Sequence, residues 1–369
     1  MKKILDFSLQ DDIKIYTHHS IPLSVLSIDK NYIPWLNEHF VQLYSYIDRE
    51  GVFRIDYTEY YRHYREVMDV IEISYEKAAS IGTIIDFVFN AINRNLYVNL
   101  IVDEYYLKNK GAFKQFHYVR QLLINGYDKN GSIFYGMGYT KYVDTSLKGG
   151  SGYDKLAQEE ISFSDLKIAY DEGRNYYKGP LPQYLLLLGR KSNAHDYLFN
   201  AGRFINRLDG YINSKGFHEY QLAIGQNVYA DLAEHITGMI YNLDKVDSRA
   251  FFILHEHKKR LAKSIDFISE KYNLSMNTMG PLLAAYNSII VKKAQMLFYQ
   301  FLRYEYKAFK TRDYDDDGKL LPLDRESKEG KAKINDLNKI MESIKKYTSQ
   351  EKSITLAIVN ELKQHFKII

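Results

Sequence analysis

The amino-acid sequence predicts an α+β domain over residues 1–180, followed by an all-α helical domain over residues 190–369. Three observations predict this. Residues 96 to 170 carry segments rich in β-branched and aromatic residues, broken by turn signals. Residues 191 to 369 lack strand alternation and carry long helical periods. Between the two, Gly and Pro cluster in GRNYYKGPLPQYLLLLG, where a boundary is expected. A chain of 369 residues is also longer than one core usually serves, which makes two domains the default.

The elements follow in order. The start, MKKILDFSLQDD, turns acidic before a signal-peptide core develops, and no apolar run reaches the ~18 residues that a membrane span needs. The expected location is therefore cytoplasmic. YTHHSIPLSVL sets His18, His19 and Ser20 ahead of a helix or strand. SIGTIIDFVFNAINRN, within residues 64 to 95, repeats apolar residues at Ile81, Ile84, Ile85, Val88 and Ile92, the period of an amphipathic helix. LYVNLIVDEYYL is β-rich, and QLLING and SIFYGMGY flank the turn Asp128-Lys129-Asn130-Gly131, a hairpin within an antiparallel sheet. EEISFSDLKIAYDEG reads as a short strand entering a helix, with Ser162 as N-cap and Asp165 three residues on. In the second half, PLLAAYNSIIVKKAQMLFYQFLRYEYKAFK places Pro281 in a permitted first turn and basic residues at its end.

Composition excludes several function classes. Net charge is +4, from 50 basic and 46 acidic residues, so no dominant basic field argues for a nucleic-acid partner. Cysteine is absent, which removes disulfides, thiolate metal sites and thiol nucleophiles together. Tyrosine is in excess, with 34 copies. Its flat ring and single hydroxyl suit semi-polar pockets and interfaces; the main cause of the excess is read as a low-GC genome, with Tyr, Asn, Lys and Ile all in excess.

No metal or cofactor is expected. Asp313, Asp315, Asp317, Gly318 and Asp324 fall at positions one, three, five, six and twelve of a helix-loop-helix calcium loop. Position twelve is Asp rather than a bidentate Glu, Pro322 interrupts the segment, and RESKEGK is a poor exiting helix, so a solvated acidic turn is the expectation. His255 and His257, two apart on a helix, do not share a face and are expected to be exposed. Glu159 with Glu160, and Asp103 with Glu104, are too close in sequence for a two-carboxylate mechanism, and the first pair is expected to be solvated.

The order VDEYYL, then GYDKNGSIFYGMGY, then EEISFSDLKIAY resembles the central hairpin of papain-like and peptidase-C39-like proteins over roughly the first half of the chain. It is closer still to the natural-product branch typified by the N-terminal domain of butirosin biosynthesis protein H. In that family a histidine sits six residues before the Gly of GYD. An Asp or Asn on the next strand orients it, and a cysteine on an early helix attacks the acyl donor. Here the histidine position is Arg120, the orienting position falls at about Gly138, and the nucleophile cannot be cysteine. The three roles fail together, which argues against thiol proteolysis.

The candidate catalytic residues are therefore Arg120, His117, Ser20 and His19. Arg120 would hold a carboxylate, thiocarboxylate or carrier-bound phosphate by its planar fork, or it pairs with a neighbour such as Asp103 or Asp128. His117, three residues before Arg120, projects to the opposite face of a strand unless a bulge brings it round; otherwise it is a rim or loop residue. Ser20 beside His19 would make an acyl enzyme, although adjacent histidines point apart and HHS also suits a helix-entry loop. Tyr105, Tyr106, Gln121, Tyr139 and Asp103 are the candidate substrate-binding residues. Butirosin-type relatives transfer acyl groups from carrier proteins to amines, and thioamide-antibiotic pathways also use protease homologues in amide formation. The resemblance thus implies an amide-forming acyltransferase of secondary metabolism that holds donor and amine together without an acyl-enzyme. Its partners would be a small acyl donor, an amine and an acyl or peptidyl carrier protein. Two alternatives are a pseudoenzyme that sequesters an aromatic metabolite and a scaffold for a biosynthetic complex.

Overall fold

Between Lys2 and Arg190 the β-branched and aromatic runs pair into one seven-stranded sheet, and the amphipathic segments around them fold as helices. In chain order the elements of the computed structural model are β1 (Lys2–Ile4), α1 (Thr17–Leu26), α2 (Tyr32–Glu38), β2 (Leu43–Ile47), β3 (Val52–Tyr57), α3 (Tyr61–Tyr64), β4 (Met68–Ser74), α4 (Tyr75–Ala79), α5 (Ile84–Asn93), β5 (Tyr97–Asp103), β6 (Val119–Asp128), β7 (Ile133–Asp144), β8 (Ser151–Ser162), α6 (Phe163–Tyr176) and β9 (Tyr184–Arg190). There follow α7 (Ala201–Ile212), β10 (Ala223–Ile224), α8 (Val228–Ile240), β11 (Lys245–Val246), α9 (Ser248–Lys271), α10 (Met279–Ala285), a π-helical turn (Tyr286–Val291), α11 (Lys292–Lys310) and α12 (Lys328–Phe366). The described residues are 1–144, 151–176, 184–191, 196–219, 221–310 and 323–368. Among them, no helix is long and apolar enough to cross a membrane.

The protein is mixed α and β, and it divides into two units, Met1–Ile33 with Tyr60–Tyr197, and Pro34–Glu59 with Leu198–Ile369. In the first unit the sheet runs β4-β9-β5-β6-β7-β8, with β1 on β6, and every neighbouring pair is antiparallel. Period-two alternation sends Val98, Leu100, Val102, Leu122, Ile124 and Leu187 into one cluster with Phe87, Val88 and Ala91 of α5 and Leu166 and Ala169 of α6. Each Val, Leu, Ile or Phe among them contributes roughly 1.5–3 kcal/mol of burial. The alternate residues Asn99, Ile101, Leu123 and Leu186 are buried outside that cluster. Helix α1, buried from His19 to Leu26, touches β6, β7 and β9, so both faces of the sheet are covered.

Local signals start the two flanking helices. Thr83 and Asp86 form a reciprocal capping box, so α5 begins at Ile84, and Ile81 lies before the cap and is exposed. Ser162 Oγ accepts from the Asp165 N–H at 3.0 Å at the start of α6. The Gly of GYD has a steric reason: a Cβ at Gly126 would come within 2.7 Å of Lys3 O and 2.9 Å of Ile4 Cα, where β1 crosses at a register shift in β6.

The second unit differs from the all-α expectation. Its helices α7, α8, α9, α11 and α12 are joined by a four-stranded sheet in the order β10-β2-β3-β11. Strands β10 and β11 have two residues each, too few to carry a period-two signal, and the central hairpin β2–β3 comes from residues 34–59. Residues 34–59 thus leave the 1–180 domain, and the later boundary falls between Tyr197 and Leu198 rather than at 180–190. RESKEGK, read as a poor helix start, does begin one: Ser327 Oγ accepts from the Gly330 N–H at 2.9 Å. Leu337, Ile340, Ile344, Ile358 and Leu362 then bury one stripe of the 39-residue α12. Of the candidate calcium loop, Asp313, Asp315, Asp317 and Gly318 lie outside the described residues.

Candidate functional site

Strand β5 delivers its last residue, Asp103, fully buried at the end of the sheet. Its Oδ1 accepts from the backbone N–H groups of Tyr105 at 3.0 Å and Tyr118 at 3.1 Å. Its Oδ2 lies 2.5 Å from His117 Nδ1. Asp103 faces Val119 across the β5–β6 pair, and the same register carried two residues further sets Tyr105 opposite His117. Their rings stack at 4.5 Å, with Tyr106 at 6.1 Å from the imidazole. A carboxylate that already accepts two backbone N–H groups takes a further donor, so His117 Nδ1 is the donor of this pair. The His117 side chain is 37% exposed and that of Asp103 0%. A carboxylate–imidazole pair of this kind can serve general-base chemistry.

Arg120 lies beside this pair for a topological reason. Strands β6 and β7 pair only from Leu123↔Met137 to Asp128↔Ile133, so Val119–Leu122 has β5 alone as a partner. In the resulting splay the Arg120 guanidinium sits 4.6 Å from the Tyr118 ring centre and 4.9 Å from that of Tyr139. Its NH1 is 3.5 Å from Glu104 Oε1, and its NH2 donates to Tyr118 OH at 3.3 Å. The carboxylate partner is thus Glu104, not Asp103 or Asp128. Asp103 is engaged by His117, and Asp128 accepts from the Asn130 N–H inside the hairpin turn at 3.0 Å.

Gly138, expected from the sequence to fall near an orienting position, has no room for a side chain. A Cβ at Gly138 would lie 2.7 Å from Lys110 Nζ and 2.9 Å from Glu159 Oε1. Lys110 ion-pairs with Glu159, both side chains being 1% exposed, and donates to Tyr139 O at 2.9 Å. Burial pushes the Glu159 carboxyl up from its ordinary value, and Lys110 pulls it back. Glu159 is therefore buried rather than solvated, while Glu160 is exposed.

The remaining candidates are not brought to this cluster. His19 and Ser20 are both fully buried in α1, where His19 Nδ1 is 3.5 Å from Tyr64 OH and Ser20 Oγ has no hydrogen-bond partner. A serine without exposure offers no attacking oxygen to a substrate. Gln121, next to Arg120 in sequence, alternates away and donates to Tyr61 OH at 2.8 Å. The cluster is thus Asp103, Tyr105, Tyr106 and His117, linked through Tyr118 to Arg120 and Tyr139.

Sequence reasoning missed Glu104, Tyr118 and Lys110, and it missed a buried network in the second unit. Lys258 on α9 is fully buried and gives three hydrogen bonds, to Glu351 Oε1 at 2.5 Å, to His257 Nδ1 at 2.8 Å and to Tyr211 OH. Tyr211 OH donates on to Glu351 at 2.9 Å, and His257 Nε2 donates to Val41 O at 2.8 Å. Burial lowers the Lys258 ammonium to about 8 despite the opposing Glu351. Burial, reinforced by Lys258, holds His257 well below its ordinary value. His257 is thus a neutral core residue, not an exposed one, and His255 is half-buried. Lys258 and Glu351 stand 93 positions apart, and no local spacing announces such a pair.

No family model matches the sequence, and no curated protein matches it.

Proposed function

We propose that the first unit is a papain-like protease homologue of the natural-product type, which joins an activated acyl donor to an amine without a covalent acyl-enzyme. The observation that carries this reading is the partly exposed His117 imidazole, paired through Nδ1 with the buried Asp103 and three residues from Arg120. His117 Nε2 takes a proton from the amine as its nitrogen attacks the acyl carbon. The C–N bond forms, the C–S bond of a thioester donor breaks, and the same proton passes to the departing sulfur. Acyl thioester and amine become amide and thiol, with no nucleophile required from the chain. Arg120 anchors a carboxylate or phosphate on the donor, or on the carrier protein's prosthetic arm, and Tyr105, Tyr106 and Tyr139 supply apolar walls. The role assigned to a base falls to His117 rather than to Arg120, which has no proton to exchange at neutral pH.

The test is turnover of aryl-acyl N-acetylcysteamine thioesters with a panel of amines, the amide being detected by mass spectrometry. His117→Ala is expected to lower kcat by about 10²–10⁴-fold, and Arg120→Ala to raise KM with a smaller effect on kcat. Equal turnover in both variants would refute the assignment. A second reading is favoured by the two tyrosine rings within 5 Å of the Arg120 guanidinium: sequestration of an anionic aromatic metabolite, for which saturable one-to-one binding without product is the expected result.

A further inference from the structure

A groove of about 430 Å³ lies along α9 in the second unit, walled by His255, Lys259, Ala262, Lys263 and Asp266 on one side and Leu283, Asn287, Val291 and Gln295 on the other. Its size falls in the roughly 300–1,000 Å³ range of small-molecule sites. His255, Lys259 and Lys263 recur every four residues, so they line one face of the helix over about 12 Å. Lys259 is exposed, and among the described residues no ion pair engages it. With Lys259 and Lys263 positive, Asp266 negative and His255 neutral, the lining carries a net charge of +1. Ala262 beside this row, and Leu283 and Val291 on the opposite wall, add apolar surface. The opposite wall contains the π-helical turn Tyr286–Val291, a rare distortion that recurs at functional sites. It holds Asn287 so that one amide hydrogen goes to Leu283 O at 3.1 Å and the other remains for a ligand.

We infer that this groove binds a small organic monoanion, a carboxylate with an apolar body, whose charged head lies between Lys259 and Lys263 and whose body rests on Ala262, Leu283 and Val291. The single net positive charge selects one negative charge over two, and the apolar surface selects an aliphatic or aromatic body over a bare inorganic ion. The inference does not depend on the acyl-transfer reading of the first unit.

The test is isothermal titration of the full chain with octanoate, and separately with inorganic phosphate. Saturable one-to-one octanoate binding, weakened about tenfold or more in Lys259→Gln/Lys263→Gln, is expected. Both lysines are exposed, so the double variant should keep the parent melting temperature, which is checked alongside. Three results would overturn the inference: no saturation by about 10 mM octanoate, phosphate binding with octanoate excluded, or octanoate affinity that survives the double substitution.

Discussion

Lys110 and Glu159 form a pair in which neither charge can reach water. Replacing Lys110 with Met would strand the Glu159 carboxylate in the sheet, and a loss of about 3–5 kcal/mol is expected in urea denaturation. Lys110→Met/Glu159→Leu should recover most of that loss, because two apolar chains leave no uncompensated charge. If the double variant is as unstable as the single one, the cost lies in packing around Gly138 instead. The residues of the candidate cluster were partly legible in the sequence. Arg120, Asp103 and His117 could be named from their places around GYD, but their pairings could not. Strict alternation sends Asp103 and Glu104 to opposite faces; in the structure a short 3₁₀ turn begins at Glu104, and its carboxylate swings to Arg120. The His117 pairing depends on the 107–116 loop, whose path no local periodicity encodes.

Helices were readable where a cap preceded the element, as at Ser162, or where an apolar period recurred, as from Ile84 to Ile92, although the Thr83 cap that starts the latter was not read; β10 and β11 were too short to register. The helical elements also hide polar residues on their inner faces. Tyr347, Glu351 and Thr355 recur every four residues on α12 and are all buried, opposite Lys258 of α9. This arrangement fixes a pH response. Unfolded, Lys258 holds its proton up to the ordinary 10.5; folded, it releases it near 8. Between these values the unfolded chain binds more protons, so stability rises with pH, by about 2–3 kcal/mol between pH 8 and 10 from this group alone. Above about 10 the sign reverses. Burial keeps the phenols of Tyr211, Tyr229, Tyr286 and Tyr347 protonated in the fold, while the unfolded chain loses those protons. Urea midpoints across this range should therefore peak near pH 10, and the rising limb should flatten in Lys258→Met/Glu351→Leu. A wild-type midpoint that falls steadily from pH 8 would contradict the assignment.

Across the whole molecule, the feature least visible in sequence is that the second unit is assembled from two stretches of chain separated by residues 60–197. The stretches are tied by specific bonds: His257 to Val41 O, Arg260 to Asn37, Arg54 to Asp247 and Ser45 to Asp231. A fragment of residues 198–369 alone loses Phe53 and Ile55 from beneath its helices and leaves Arg260 and His257 without those acceptors. It is expected to show no cooperative melting, and covalent addition of residues 34–59 is expected to restore a transition; a sharp transition in the shorter fragment would refute this dependence. The same discontinuity sets a schedule during synthesis. After residues 34–59 leave the ribosome, 138 residues must be translated before the second stretch of the unit begins to emerge, a wait of about 7–30 s at ordinary elongation rates. Through that interval the hairpin is a sticky nascent segment, and its yield in the cell should respond to chaperone supply and to codon choice within residues 60–197.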